Sequence, residues 1–222
     1  MKTSITKSAV ALLLCAVMMW TGCSTAWVGQ AEEIVAALIP AAANIIALVA
    51  ALEGKGVSAA DMQIVQNAGT QAGADLELVQ SLITAYQKAD EASKPGILEK
   101  IQNAINAVQA NLQGLLPALH IKDAATQAKV TAVVGIVLAE VQSLAAILPL
   151  VKVGAVAPTL AAKNAAKMGH PKPPLSASEF VASYNATLTA KTGNAELDRV
   201  AAGLQIHGHG KAARWATAGV LK

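Results

Sequence analysis

Residues 62–86, MQIVQNAGTQAGADLELVQSLITAY, place Met62, Val65, Gly69, Ala72, Leu76, Val79, Ile83 and Tyr86 three and four positions apart. A helix turns once every 3.6 residues, so this spacing gathers all eight onto one face. Asp61, Gln63, Gln66, Asp75, Glu77 and Lys88 fall elsewhere, so the segment is predicted as an amphipathic helix with one buried stripe. Ser58-Ala-Ala-Asp61 ahead of it forms a capping-box variant. Ser93-Lys94-Pro95-Gly96 ends it and opens another helix, with Pro95 suited to a first turn. Gly69-Thr-Gln-Ala-Gly73 has the GxxxG spacing. On a helix this polar, it is expected to permit close helix approach rather than pairing in lipid.

The same alternation recurs on both sides of this helix. Upstream, Ile34, Leu38, Ala41, Ile45, Val49 and Leu52 share a face, and Glu53-Gly54-Lys55-Gly56 ends the run. Downstream come Leu98, Ile101, Ile105, Val108, Leu112, Leu115 and Leu119. After a short turn around His120 to Asp123 follow Val130, Val134, Val137, Val141, Leu144, Leu148 and Val151. Four striped helices joined by short turns predict an all-α fold, an antiparallel up-down-up-down four-helix bundle over 34–151. The first and fourth of these helices approach transmembrane length. The bundle reading gives them weakly polar exteriors: Ala37, Pro40, Asn44, Ala47 and Ala51 on the first, and Lys129, Glu140 and Ser143 on the fourth. A buried or membrane-embedded Glu140 would instead be a functional candidate.

Composition agrees with helices. Apolar residues make up 54% of the chain but aromatics only 3%, and much of the remainder is alanine, the strongest helix former and a poor strand former. Charge divides unevenly. From Cys23 to Leu150 there are eleven acidic and six basic residues, and from Val151 to Lys222 nine basic and three acidic. An acidic front and a basic back suggest mutual contact, or an anionic surface facing the back.

The amino-terminal segment carries an address. Lys2 and Lys7 precede the uncharged run Ala9 to Met19, and small residues follow at Thr21 and Gly22, the layout of a secretory signal peptide. Trp20-Thr21-Gly22-Cys23 resembles the lipobox of bacterial lipoproteins, with Trp20 where leucine is usual. The resemblance implies cleavage after residue 22 and a lipidated Cys23. It further implies a membrane partner through that lipid, and Ser24 implies the outer membrane rather than the inner. Two or more acyl chains anchor stably where one does not. Cys15 belongs to the apolar core of the leader. Ordinary cleavage near Ala26, discarding Cys23, is the alternative. The domain plan is then a leader over 1–22, a lipidated tether over 23–33, the bundle, and a Pro- and Lys-containing linker over 152–175 with a short cationic helix from Thr159 to Met168. A basic helical appendage over 176–222 completes it.

In that appendage Ser176-Ala-Ser-Glu179 is a capping box opening a helix with Phe180, Tyr184 and Leu188 on one side and Gly193 as its stop. Asn194 caps a second helix bearing Leu197, Val200 and Leu204, and a third holds Trp215 and Val220. Chains below about 40 residues rarely stand alone, so the appendage is expected to dock on the bundle through Trp215 or Phe180. His207-Gly208-His209 is the nearest approach to a metal site. Two ligands do not make one, and His120 and His170 are the only other histidines.

Catalytic and cofactor motifs are missing: there is no phosphate loop, nucleophile elbow or nucleotide fingerprint, and no cofactor is expected. His120 near a helix end reads as a helix-dipole partner, and Asn185-Ala-Thr187 as a chance glycosylation sequon. Lys163, Lys167, Lys172, Lys191, Arg199, Lys211, Arg214 and Lys222 are spaced and lack aromatic companions. That argues against nucleic acid and for an anionic headgroup or envelope polymer. The expected function is a non-catalytic structural or interaction module on the bacterial envelope. Two alternatives are a membrane-active protein whose first and fourth helices insert into lipid, and a binder of a small apolar ligand beside Ala68, Gly69, Ala72 and Gly73.

Overall fold

The eight stripe residues of the second helix are all buried, on a helix that runs unbroken from Ala59 to Lys88. The computed structural model describes residues 26–52, 57–118, 120–149 and 176–207. Every regular element among these residues is an α-helix: α1 Ala26–Ala50, α2 Ala59–Lys88, α3 Lys94–Ala118, α4 Ala124–Ile147, α5 Ala177–Thr189 and α6 Ala195–Gly203.

Local chemistry sets the helix starts. The Ser58 hydroxyl accepts the Asp61 N–H at 3.1 Å and donates to the Asp61 carboxylate at 2.8 Å, closing a box at the head of α2. Asp123 caps α4 through the Thr126 N–H at 2.7 Å. Ser176 caps α5 through Glu179, and Asn194 caps α6 through Leu197. Each cap satisfies an N–H that the first helical turn leaves without a partner. Pro95 lies in the first turn of α3, where its missing N–H costs nothing.

The first four helices touch in a closed cycle: α1 with α2, α2 with α3, α3 with α4, and α4 with α1. Between them lie the stripes, with Ile34, Leu38, Ile45, Leu76, Ile83, Ile101, Ile105, Leu112 and Leu115 wholly removed from solvent. α5 packs on α4 and α1, and α6 packs on α5 and α1. Phe180 and Tyr184 of α5 have no exposed surface, and their rings lie 5.7 Å apart.

Three expectations change. The tether over 23–33 is helical from Ala26 onward, because Trp27, Val28 and Ala31 have apolar partners: Trp27 meets Tyr86 edge to face at 5.1 Å. The supposed exterior of α1 is covered. Ala37 is buried, Pro40, Asn44, Ala47 and Ala51 are half-buried, and the Asn44 amide donates to the Leu204 carbonyl at 2.7 Å. α5 ends at Thr189, short of Gly193, and the Ala190 carbonyl accepts from the buried Lys129 ammonium at 2.7 Å. Gly193 instead takes a left-handed φ of 86° in the turn before α6, a backbone state that glycine adopts without strain. The leader, Leu119, Val151, the linker and its cationic helix, and Trp215 and Val220 lie outside the described residues.

Candidate functional site

α4 is buried on two faces. Val130, Val134, Val137, Val141 and Leu144 point into the four-helix core. A second line, Thr126, Lys129, Val133, Glu140 and Ser143, repeats the helical spacing one face over and is equally enclosed. Lys129, Glu140 and Ser143, expected on a solvent flank, are 5%, 0% and 8% exposed. The flank is buried because α5 lies across it, a contact made by residues more than thirty positions away.

At one end of this seam the charged groups are satisfied. The Lys129 ammonium donates to the Ala190 carbonyl and reaches the Asp198 carboxylate at 3.2 Å, both side chains nearly enclosed. Asp198 also accepts from the Thr192 N–H at 3.1 and 3.2 Å and the Thr192 hydroxyl at 3.0 Å. Burial pushes the Asp198 carboxyl upward, but the Thr192 N–H, the Lys129 ammonium and the Thr192 hydroxyl outweigh it and hold the group below the ordinary carboxylate range. Nearby, the Asn185 side chain pairs with Ile206 in both senses, its amide donating to the carbonyl and its oxygen accepting the N–H, each at 2.9 Å. That amide ties the end of α6 back to α5, so the sequon residue is a structural clasp.

At the other end they are not. Neither carboxyl oxygen of Glu140 has a hydrogen-bond partner among the described residues, and the same holds for the Tyr184 hydroxyl and, back at the Lys129 end, for Thr126 Oγ1. Burial, and then the negative charge of Glu179 on α5, push the Glu140 carboxyl up to about 8. At neutral pH it is therefore largely protonated. Burial also pushes the Tyr184 phenol up to about 12. The Asn44 side chain, one of whose amide hydrogens goes to Leu204, opposes that shift.

The expected site residues fall as follows. His207 is exposed, and His209 lies outside the described residues, as does Cys23. No group of three or more His, Cys, Asp or Glu side chains gathers to hold a metal among the described residues. His120 stands 3.3 Å from Asp61. The Ser58 hydroxyl first, and His120 second, draw the Asp61 carboxyl below its usual range. Of the basic candidates, Lys191 and Arg199 are exposed, and Lys163, Lys167, Lys172, Lys211, Arg214 and Lys222 lie outside the described residues. The space beside Gly69 holds the Ile46 side chain, so close that an added Cβ would fall 2.6 Å from it.

Glu140 was legible as a candidate only on the condition that it was buried. Asn44, Tyr184, Asn185 and Asp198 carried no such signal. A hint existed in the apolarity of α1 and α4, each long and apolar enough to cross a membrane. Helices that apolar need partners on more than one side. No family model, curated protein or solved structure matches the chain.

Proposed function

We propose that this chain is a lipid-anchored protein of the bacterial envelope, acting as a non-catalytic structural or interaction module. The observation that carries the reading is Trp20-Thr21-Gly22-Cys23 behind a leader-like segment. The module is an antiparallel up-down-up-down four-helix bundle with the α5–α6 unit as its appendage. Side-chain pairings support the alternation of direction. Along α1 and α2, Trp27 meets Tyr86 while Ile46 meets Gly69. Along α2 and the α3 segment, Asp61 meets His120, Asp75 meets Asn111 at 3.1 Å, and Tyr86 meets Lys94 at 5.4 Å. Partners that descend in one helix as they ascend in the next are the mark of antiparallel packing.

The start of α1 gives the anchor a consequence. Only Ser24 and Thr25 separate Cys23 from Ala26, a reach of about 10 Å even when extended. A lipid on Cys23 holds the Trp27, Tyr86 and Lys94 end of the bundle at the headgroups. The opposite end, with His120 and Asp61, faces away, and the exposed Lys191 and Arg199 are left to meet an anionic polymer or headgroup.

Membrane fractionation of cells producing wild type and Cys23→Ala tests the reading. Wild type sediments with membranes and is released by detergent; the variant is expected in the soluble envelope fraction. A variant that stays with the membrane as firmly as wild type contradicts the anchor. The apolar length of α1 and α4 favours one second reading, in which these helices enter lipid. Dye leakage from liposomes induced by the unlipidated chain supports that reading, and inert liposomes support the module.

A further inference from the structure

Thr126 Oγ1, both carboxyl oxygens of Glu140 and the Tyr184 hydroxyl are the buried polar side-chain atoms without a hydrogen-bond partner among the described residues. All lie on α4 or α5, and the Glu140 and Tyr184 atoms belong to the surfaces that α4 and α5 bury. The stripes between α1, α2 and α3 contain none. A buried polar group left unpaired opposes the packing that encloses it. Polar composition is also what separates a detachable interface from a permanent core.

We propose that the α5–α6 unit is a pH-released latch, which leaves α4 and α1 when Glu140 ionises beneath it. A neutral carboxyl is tolerated in the seam, whereas a carboxylate there has no cation or N–H among the described residues to receive it. From α5 the facing ionisable groups are the Glu179 carboxylate and the Tyr184 phenol, neither of them a cation. α1 carries only Glu32 and Glu33, near its start. On α3, Lys94 is engaged by Glu91, and Glu99 and Lys100 are exposed. Lys129, on α4 itself, lies three helical turns from Glu140 and is bound to Asp198 of α6. Arg199 of α6 is exposed. Ionisation therefore adds a second negative charge opposite Glu179, with nothing among the described residues to offset it.

The sign follows from proton binding. The raised affinity of the latched carboxyl for its proton, about 8 against an ordinary 4.5, means that the latched state holds a proton which the released state gives up. Latching is complete below about pH 4.5 and weakens as pH rises toward 8, by up to about tenfold in its equilibrium constant per pH unit. This inference is independent of the lipid on Cys23.

Hydrogen exchange of the full chain, read by mass spectrometry between pH 5 and 9, tests it. Protection at 177–206 and at 62–86 is taken from the same sample, each divided by the chemical rate of exchange at that pH. In wild type, 177–206 is expected to be less protected than 62–86 at every pH, and to lose protection by up to about tenfold per pH unit until about pH 8. Glu140→Gln is expected to abolish that slope. Glu179→Gln, at an exposed position whose capping role glutamine can keep, is expected to end the decline at lower pH and leave more protection in alkali. If Glu140→Gln fails to fold, the Glu179→Gln shift still decides. A slope shared by wild type and Glu140→Gln, an unmoved Glu179→Gln profile, or equal protection of both segments at every pH overturns the latch.

Discussion

Gly69 and Gly73 sit one turn apart on α2, yet a Cβ added to each meets different surroundings. At Gly69 it would lie 2.6 Å from Ile46 Cγ1 and 2.9 Å from its Cδ1, whereas at Gly73 nothing lies within 4 Å. Gly73→Ala gains helix propensity alone and is expected to stabilise the protein by up to about 1 kcal/mol. Gly69→Ala must push Ile46 aside, and overpacking of about 1–3 kcal/mol exceeds the same gain. Urea midpoints of the two variants should therefore move in opposite directions; a rise in both would remove close α1–α2 packing from the account. Glu140 gives the second test at this scale. The proton that the folded protein keeps and the unfolded chain loses makes wild type lose up to about 1.4 kcal/mol per pH unit between about pH 4.5 and 8. Glu140→Gln lacks that loss. Its melting temperature should exceed that of wild type by more at pH 8 than at pH 4.5, and a constant difference would contradict the assignment.

Among elements, the stripes of α2, α3 and the inner faces of α1 and α4 could be read from spacing alone, because period and burial coincide there. The eight positions from Met62 to Tyr86 are the buried residues of α2 without exception. The capping residues Ser58, Ser176 and Asn194 were legible for the same local reason. The second face of α4 was not. Thr126, Lys129, Glu140 and Ser143 have the chemistry of a solvent flank, and only α5, distant in sequence, encloses them. Tertiary contact overrides pattern most easily where the pattern is polar. The start of α1 was missed because Trp27 finds its partner, Tyr86, on another helix. The caps offer an element-scale prediction: Ser176→Ala removes the hydroxyl that accepts the Glu179 N–H and donates to its carboxylate. The change is expected to cost α5 about 1 kcal/mol. Exchange protection should fall in 177–189 and hold in 62–86; a uniform fall would show that α5 is not a separable unit.

For the whole molecule, the short step from Cys23 to Ala26 would make orientation on the membrane a consequence of the proposed anchor. α3 spans about 38 Å at 1.5 Å per residue over its 25 residues, so its two ends report very different depths. A nitroxide on Glu91→Cys, just before α3, is expected near the headgroups and accessible to lipid-borne relaxation agents. One on Lys122→Cys, just after it, should respond to aqueous agents only. Equal responses would mean that the bundle lies flat or is not held by its α1 end. Under the proposed latch, a change of pH acts on the α5–α6 unit at its contact with α4 while the packing among α1 to α4 stays closed.

All of this orientation depends on one atom, the sulfur of Cys23. Mass spectrometry of the amino-terminal peptide of the mature protein, taken from membranes of a producing cell, tests it most directly. The account predicts a peptide that begins at Cys23 and carries the mass of a diacylglycerol on sulfur and an acyl group on nitrogen. A mature chain that begins beyond Cys23, near Ala26, would contradict it.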